Sequence, residues 1–120
     1  MKVFNNLSTG KQGEHLAVEY LKKEKYQIIE RNYKFGRGEI DIIAQDKDTL
    51  VFIEVKTRKT TAFGFPEESV TPRKQSQIRK IAQGFLSQKK LPLKSIRFDV
   101  IAVELRSLED YALHHIKNAF

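Results

Sequence analysis

Apolar residues recur along this chain in two rhythms, and the switches between them outline its elements. Over residues 8–23 they fall three and four apart, at Leu16, Ala17, Val18, Tyr20 and Leu21. That spacing predicts a helix with Ser8 or Thr9 as its N-cap. At about 100° per residue, Glu14 falls on the edge of the apolar face, so its carboxylate looks across the core boundary rather than into bulk water. Three short runs rich in Ile, Val, Phe and Tyr follow, at residues 26–33, 39–44 and 50–57, and each predicts a strand. The connections, residues 34–38 with two glycines and 45–49 with two aspartates, are short enough for antiparallel hairpins. A three-stranded meander is the simplest arrangement.

After Arg58 the pattern breaks into a loop carrying Gly64 and Pro66, and Thr71 followed by Pro72 then marks a helix start. The stripe Ile78, Ile81, Ala82, Phe85 and Leu86 carries this helix past Gly84 to near Lys90, ahead of Pro92. Residues 96–105 and 112–116 predict two further strands. A long helix between the third and fourth strands is a crossover, which implies a parallel pairing inside a mixed sheet. The class is therefore α/β, and 120 residues are enough for one core, so a single domain spanning 1–120 is expected.

Composition sharpens this in three ways. Twenty-two Lys and Arg against fifteen Asp and Glu leave a net charge of +7, which suits a polyanionic partner, nucleic acid first, although charge alone fits a basic domain with a scattered solvated surface equally well. Cysteine is absent, which rules out disulfides, thiolate metal sites and a thiol nucleophile, and suits a reducing cytoplasm. Residues 1–10 lack the apolar stretch of a signal peptide, and no run of eighteen apolar residues occurs, so neither export nor a membrane partner is expected.

The third strand stands out chemically. Leu50, Phe52 and Glu54 alternate with Val51, Ile53 and Val55, the reading of a strand covered on both faces. A carboxylate at 54 then loses hydration at a cost of several kcal/mol unless a cation or strong donors compensate. Lys56 leaves the same face roughly 6.5 to 7 Å further along. Asp41, between Ile40 and Ile42, can be brought beside Glu54 by a hairpin. Phosphodiester hydrolysis uses this mixture: hard oxygen ligands hold Mg²⁺, and a neighbouring lysine positions or deprotonates the attacking water. An isolated Glu-x-Lys is more often an exposed salt bridge, with Asp41 a strand-edge acid. Against that bland reading, Glu39, Asp41 and Glu54 all sit in the most apolar stretch of the chain.

Gly38-Glu39-Ile40-Asp41 followed by Phe52-Ile53-Glu54-Val55-Lys56-Thr57-Arg58 resembles the PD-(D/E)xK nuclease signature. The proline of its first motif is absent, since Ile40 precedes Asp41. Gly13-Glu14, Ala17, Tyr20-Leu21, Arg31-Asn32, those two segments, Phe63-Gly64, Val70-Thr71, Lys74, Arg97-Phe98-Asp99-Val100 and His115-Ile116-Lys117-Asn118-Ala119-Phe120 together resemble the bacterial YraN family. That family is similar to archaeal Holliday junction resolvases. The resemblance implies a restriction-endonuclease-like three-layer fold, with a mixed sheet of about five strands flanked by helices. It also implies Asp41 and Glu54 as metal-binding acids, Lys56 as the catalytic lysine, Glu14 as the first-helix glutamate that completes such sites, and the carbonyl of Val55 as a further metal ligand.

Arg37, Arg58, Arg73 and Lys74 flank the expected site, where long cations can grip phosphates either side of a scissile bond. Lys74 also belongs to the family pattern, and the start of its helix offers backbone donors. Phe63 and Phe65 are candidates for base stacking or for capping the core. Asp99 is either a distant acid of the site or a buried partner of Arg97 or Arg31. His15, His114 and His115 have no metal-ligand spacing, since the adjacent pair points to opposite faces of a strand. Two functions remain: a Mg²⁺- or Mn²⁺-dependent endodeoxyribonuclease acting on structured or branched DNA, and a catalytically silent nucleic-acid-binding module with the same fold. Symmetric junction cleavage would need two sites, hence a homodimer.

Overall fold

In the computed structural model, which describes residues 7–59, 70–90 and 95–120, the first element is helix α1, Thr9–Lys23. Ser8 is its N-cap, in extended backbone, with its hydroxyl accepting from the Lys11 amide. Lys22 and Lys23 occupy the last turn, where cations complement the helix dipole. The helix is closed by a Schellman motif: the Lys25 amide reaches the Lys22 carbonyl, the Tyr26 amide reaches the Leu21 carbonyl, and Lys25 takes a left-handed φ of 72°. That turn folds the Tyr26 ring back onto the core beside Leu21.

Strands β1 (Gln27–Phe35), β2 (Gly38–Asp46) and β3 (Thr49–Arg58) form the meander, joined by the two-residue turns Gly36-Arg37 and Lys47-Asp48. These connections are tighter than residues 34–38 and 45–49 because the ladders run on into residues expected to belong to loops. Helix α2, Pro72–Gln88, begins with Thr71 as N-cap and Pro72 in its first turn, as its sequence signal predicts. It leads to β4 (Ser95–Ser107), and β5 (Asp110–Ile116) follows. Both strands are longer than the apolar runs 96–105 and 112–116, since their exposed polar ends still pair. The spatial order is β1-β2-β3-β4-β5, parallel only between β3 and β4 and antiparallel elsewhere. The loop carrying Phe63 and Phe65 lies outside the described residues.

The two helices cover opposite faces of this mixed sheet, giving the three-layer, restriction-endonuclease-like architecture. On the α1 face, Leu16, Ala17 and Leu21 pack on Ile42, Ala44, Val51, Ile53, Ile101 and Val103. On the α2 face, Ile78, Ile81, Ala82 and Phe85 pack on Ile40, Ile43, Leu50, Phe52 and Phe98. The alternation in β3 thus assigns Leu50 and Phe52 to one layer and Val51 and Ile53 to the other, so Glu54, Lys56 and Arg58 lie on the α2 face. Gly13 brings α1 close to β3, because a methyl group at that position would collide with the Thr57 side chain. Among the described residues, no helix is long and apolar enough to cross a membrane.

Candidate active site

Strand β2 is irregular at Asp41. In a regular strand, residues two apart share a face, yet Ile40 packs in the α2 layer and Ile42 in the α1 layer. The β2–β3 ladder stops at the Ile42↔Ile53 rung. Beyond it, the Asp41 carboxylate accepts the Val55 amide at 2.8 Å. Across β1, between the rungs Arg31↔Ile42 and Tyr33↔Ile40, stands Asn32 with a left-handed φ of 52°. Asn is among the few residues that tolerate that conformation. Strands β1 and β2 therefore distort at the same level, and the meander opens there.

Side chains from three strands and both helices meet around this opening. Asn32 Nδ2 donates to Glu14 Oε1 (3.1 Å) and to Glu39 Oε2 (2.9 Å), clamping an α1 carboxylate to a β2 carboxylate. Lys11 Nζ lies 3.3 Å from Glu14 Oε1. Glu54 is 7% exposed and faces two amines through one oxygen, Lys74 at 3.4 Å and Lys56 at 3.7 Å. A buried carboxylate needs such compensation.

Asp41 has the opposite surroundings. Burial and the nearby Glu54 charge push its pKa up to about 7, aided by Glu14 and by a hydrogen bond with the Glu54 carboxyl, while the Val55 amide works against the rise. Two carboxyls thus sit side by side, one matched by ammonium groups and the other left in demand of positive charge. Among the described residues, no three Asp, Glu or His side chains converge closely enough to hold an ion together. The donor set on offer is the pair Asp41 and Glu54, a set Mg²⁺ commonly accepts because it keeps most of its waters.

Of the expected site residues, the fold brings Asp41, Glu54, Lys56 and Lys74 together, with Glu14 in electrostatic reach of Asp41. Val55 takes part through its amide. Arg58 follows Lys56 on the same face of β3, about 6.5 Å further along. Arg37 and Arg73 line a neighbouring cavity rather than touching the acids. Two contributors were not among the site residues read from the sequence: Asn32, whose role depends on a left-handed backbone, and Glu39, noted there only as an acid in the apolar stretch, which Asn32 ties to Glu14. Asn32 entered the sequence reading only through the Arg31-Asn32 pair of the family resemblance.

Asp99 lies outside this site. It pairs across the sheet with Ile53, on the α1 face, and accepts from Arg97 Nε (2.9 Å), Arg97 Nη2 (3.0 Å), His115 Nε2 (2.7 Å) and the Asn118 amide (3.1 Å). Burial would raise its pKa, but those hydrogen bonds outweigh burial and hold it below the usual carboxylate value. Tyr20 closes the network with a 2.9 Å hydrogen bond to His115 Nδ1, and Arg97 reaches the Tyr26 hydroxyl at 2.8 Å. Arg97, rather than Arg31, is therefore the buried partner.

The fold and this cluster define an α/β protein of restriction-endonuclease-like architecture with two acids and a lysine gathered where a hairpin opens. The chain belongs to the family described as uncharacterised protein family UPF0102, whose model matches residues 13–103, a span holding Glu14, Asp41, Glu54, Lys56 and Lys74. It is 51% identical over 116 residues to a UPF0102 protein of Geotalea uraniireducens, covering 97% of this chain and 91% of that one. Similarity to UPF0102 proteins of Geobacter sulfurreducens (47% over 116 residues, 97% and 91% covered) and Chlorobaculum parvum (49% over 116 residues, 92% and 90% covered) is of the same order. The YraN-family resemblance carried by the ordered motifs is thereby borne out.

Proposed function

We propose that this protein is a metal-dependent endonuclease that hydrolyses phosphodiester bonds in DNA, acting on structured or branched DNA in repair or recombination in the cytoplasm. The observation that carries this reading is the unequal carboxyl pair: Glu54 is matched by Lys56 and Lys74, whereas Asp41, beside it, has its pKa pushed up to about 7. A desolvated acid pair of this kind is expensive unless a cation or proton joins it.

Asp41 and Glu54 would hold Mg²⁺ or Mn²⁺. Val55 would assist through its carbonyl, which in an antiparallel pair points to the same neighbouring strand as its amide. When bound, such an ion polarises the phosphoryl oxygen and lowers the pKa of a water. Lys56, within 3.7 Å of Glu54, is placed to orient the attacking water and to offset charge developing on the phosphoryl oxygens. Glu14, fixed by Asn32, faces the same opening and is suited to accept a hydrogen bond from that water. Lys74, Arg58, Arg37 and Arg73 supply cations for the phosphates on either side. Symmetric cleavage of a four-way junction would take two copies of the chain.

One observation favours the alternative, a catalytically silent binding module: Lys56 and Lys74 already compensate Glu54. Incubating the protein with duplex, single-stranded, flap and four-way-junction DNA separates the two, with Mg²⁺, Mn²⁺ or chelator present. The nuclease reading expects metal-dependent cleavage that falls by about 10²-fold or more in Glu54→Gln and Lys56→Met, with DNA binding retained. Binding without cleavage on every substrate leaves only the module.

A further inference from the structure

A cavity of about 470 Å³ opens between the turn joining β1 to β2 and the N-terminal half of α2. Among the described residues, its walls carry three cations, Arg37, Arg73 and Lys80, and no carboxylate, with Ser76 and Gln77 as neutral hydrogen-bonding groups. Arg73, Gln77 and Lys80 recur at helical spacing and so share one face of α2. Phe35 stands at the mouth, 41% exposed. Its ring is locked by one edge: a Cβ at Gly84 would lie 2.6 Å from Phe35 Cε1 and Cζ, so the ring rests where a helix side chain would otherwise project. The aromatic is thus both fixed and open, at the rim of a pocket whose charge suits a phosphate. The helix connects the pocket to the acids, since Lys74, adjacent to Arg73, reaches Glu54.

A track for duplex backbone needs cations on an accessible surface and has no use for a fixed aromatic beside a cavity. A cavity of this size falls in the range of about 300–1,000 Å³ typical of pockets that enclose a small ligand. A base turned out of its stack presents a π-face to an aromatic and its phosphate to nearby cations.

We infer that this cavity accepts a single unstacked nucleotide of the bound DNA, its base against Phe35 and its phosphate between Arg37 and Arg73, with Lys80 closing the far side. The protein would then select DNA with unpaired nucleotides beside the cut site, such as flaps, bulges and open branch points. This rests on the DNA-binding part of the proposed function and not on cleavage.

Binding by fluorescence anisotropy in chelator tests it without any cleavage. The probes are a duplex, the same duplex with a short unpaired flap, and that flap carrying abasic sites. The full chain is expected to bind the flap about tenfold or more tightly than the duplex, with the abasic flap returning to the duplex level. A 2-aminopurine in the flap should be quenched on binding. Phe35→Ala should abolish the preference and Phe35→Trp should restore it; the abasic probe gives the same answer with the unaltered protein should Phe35→Ala fail to fold. Equal affinity for flap and duplex, or a preference that abasic sites leave intact, overturns the pocket while the DNA-binding reading stands. No binding to any of the three DNAs overturns that reading and the pocket with it.

Discussion

The Asp41 carboxylate takes the Val55 amide at 2.8 Å, one step beyond the last β2–β3 rung, so an ionisable side chain completes the hairpin where a backbone carbonyl ordinarily would. Strand pairing and site charge therefore meet at one residue. The Asp41 pKa is raised from 3.8 to about 7 in the fold, so folding takes up a proton between those values. Its contribution to stability is fully present below about pH 4 and is lost as pH rises through about 7. Asp41→Asn keeps an acceptor for Val55 and removes the charge. Denaturation across a pH series should show the variant gaining on the parent chain, by a few kcal/mol at most, as pH rises through this window. A constant difference would disprove the assignment.

Under the proposed function the same proton would compete with a divalent ion. Thermal stabilisation by Mn²⁺ is expected to be larger at pH 8 than at pH 5, to disappear on adding chelator, and to be absent in Asp41→Asn and Glu54→Gln.

Asn32 combines a left-handed backbone with the clamp on Glu14 and Glu39, and two substitutions separate these roles. Asn32→Gly accepts the backbone and drops the clamp; Asn32→Ala loses both. The alanine variant should be less stable than the glycine variant by about 1 kcal/mol in urea denaturation. Under the proposed function DNA cleavage should fall in both, since both release Glu14 from Glu39.

Gly13→Ala is expected to destabilise the chain by roughly 1–3 kcal/mol, because the added methyl has no room against Thr57. Thr57→Ala in the same chain should recover part of that loss, measurable as a non-additive double-mutant cycle. Strict additivity would mean that α1 does not rest on β3 at this point.

The Asp99 network is a structural anchor. Removing the acid leaves Arg97, 14% exposed, with the longer Asp46 contact (3.4 Å) and the Tyr26 hydroxyl, and His115, 4% exposed, with the Tyr20 hydroxyl, so Asp99→Ala should cost about 3 kcal/mol. Because the Asp99 pKa lies below the usual value, its stabilisation is present above about pH 4 and fades as pH falls through the folded-state pKa. The gap between Asp99→Asn and the parent chain should therefore narrow in acid, which circular dichroism melts can follow.

Much of this was legible in the residue order. Periods of 3.6 and 2 located both helices and all five strands, Thr71-Pro72 marked the second helix, and a helix between β3 and β4 required their parallel pairing. Asp41, Glu54 and Lys56 stood out because charge in a doubly covered strand is costly. Glu14 was placed correctly at the edge of its helix face. The reversal of β2 between Ile40 and Ile42 was not legible, since strict alternation puts those residues on one face. Nor was the backbone of Asn32, which arises from the pairing of three segments rather than from local preference. Lys74 was read as a phosphate-gripping cation at a helix start, favoured by the resemblance, but its approach to Glu54 was not legible because it depends on how α2 crosses the sheet.

The two sides of the acid pair differ in mechanical support. Glu54 and Lys56 ride on a parallel ladder unbroken from Thr49↔Ser95 to Arg58↔Glu104, whereas Asp41 lies where β2 has parted from β3 and keeps β1 as its one paired neighbour. Under the proposed function, ions of unequal radius would then be accommodated by a shift of β2 away from β3, leaving the strand that carries the lysine in place.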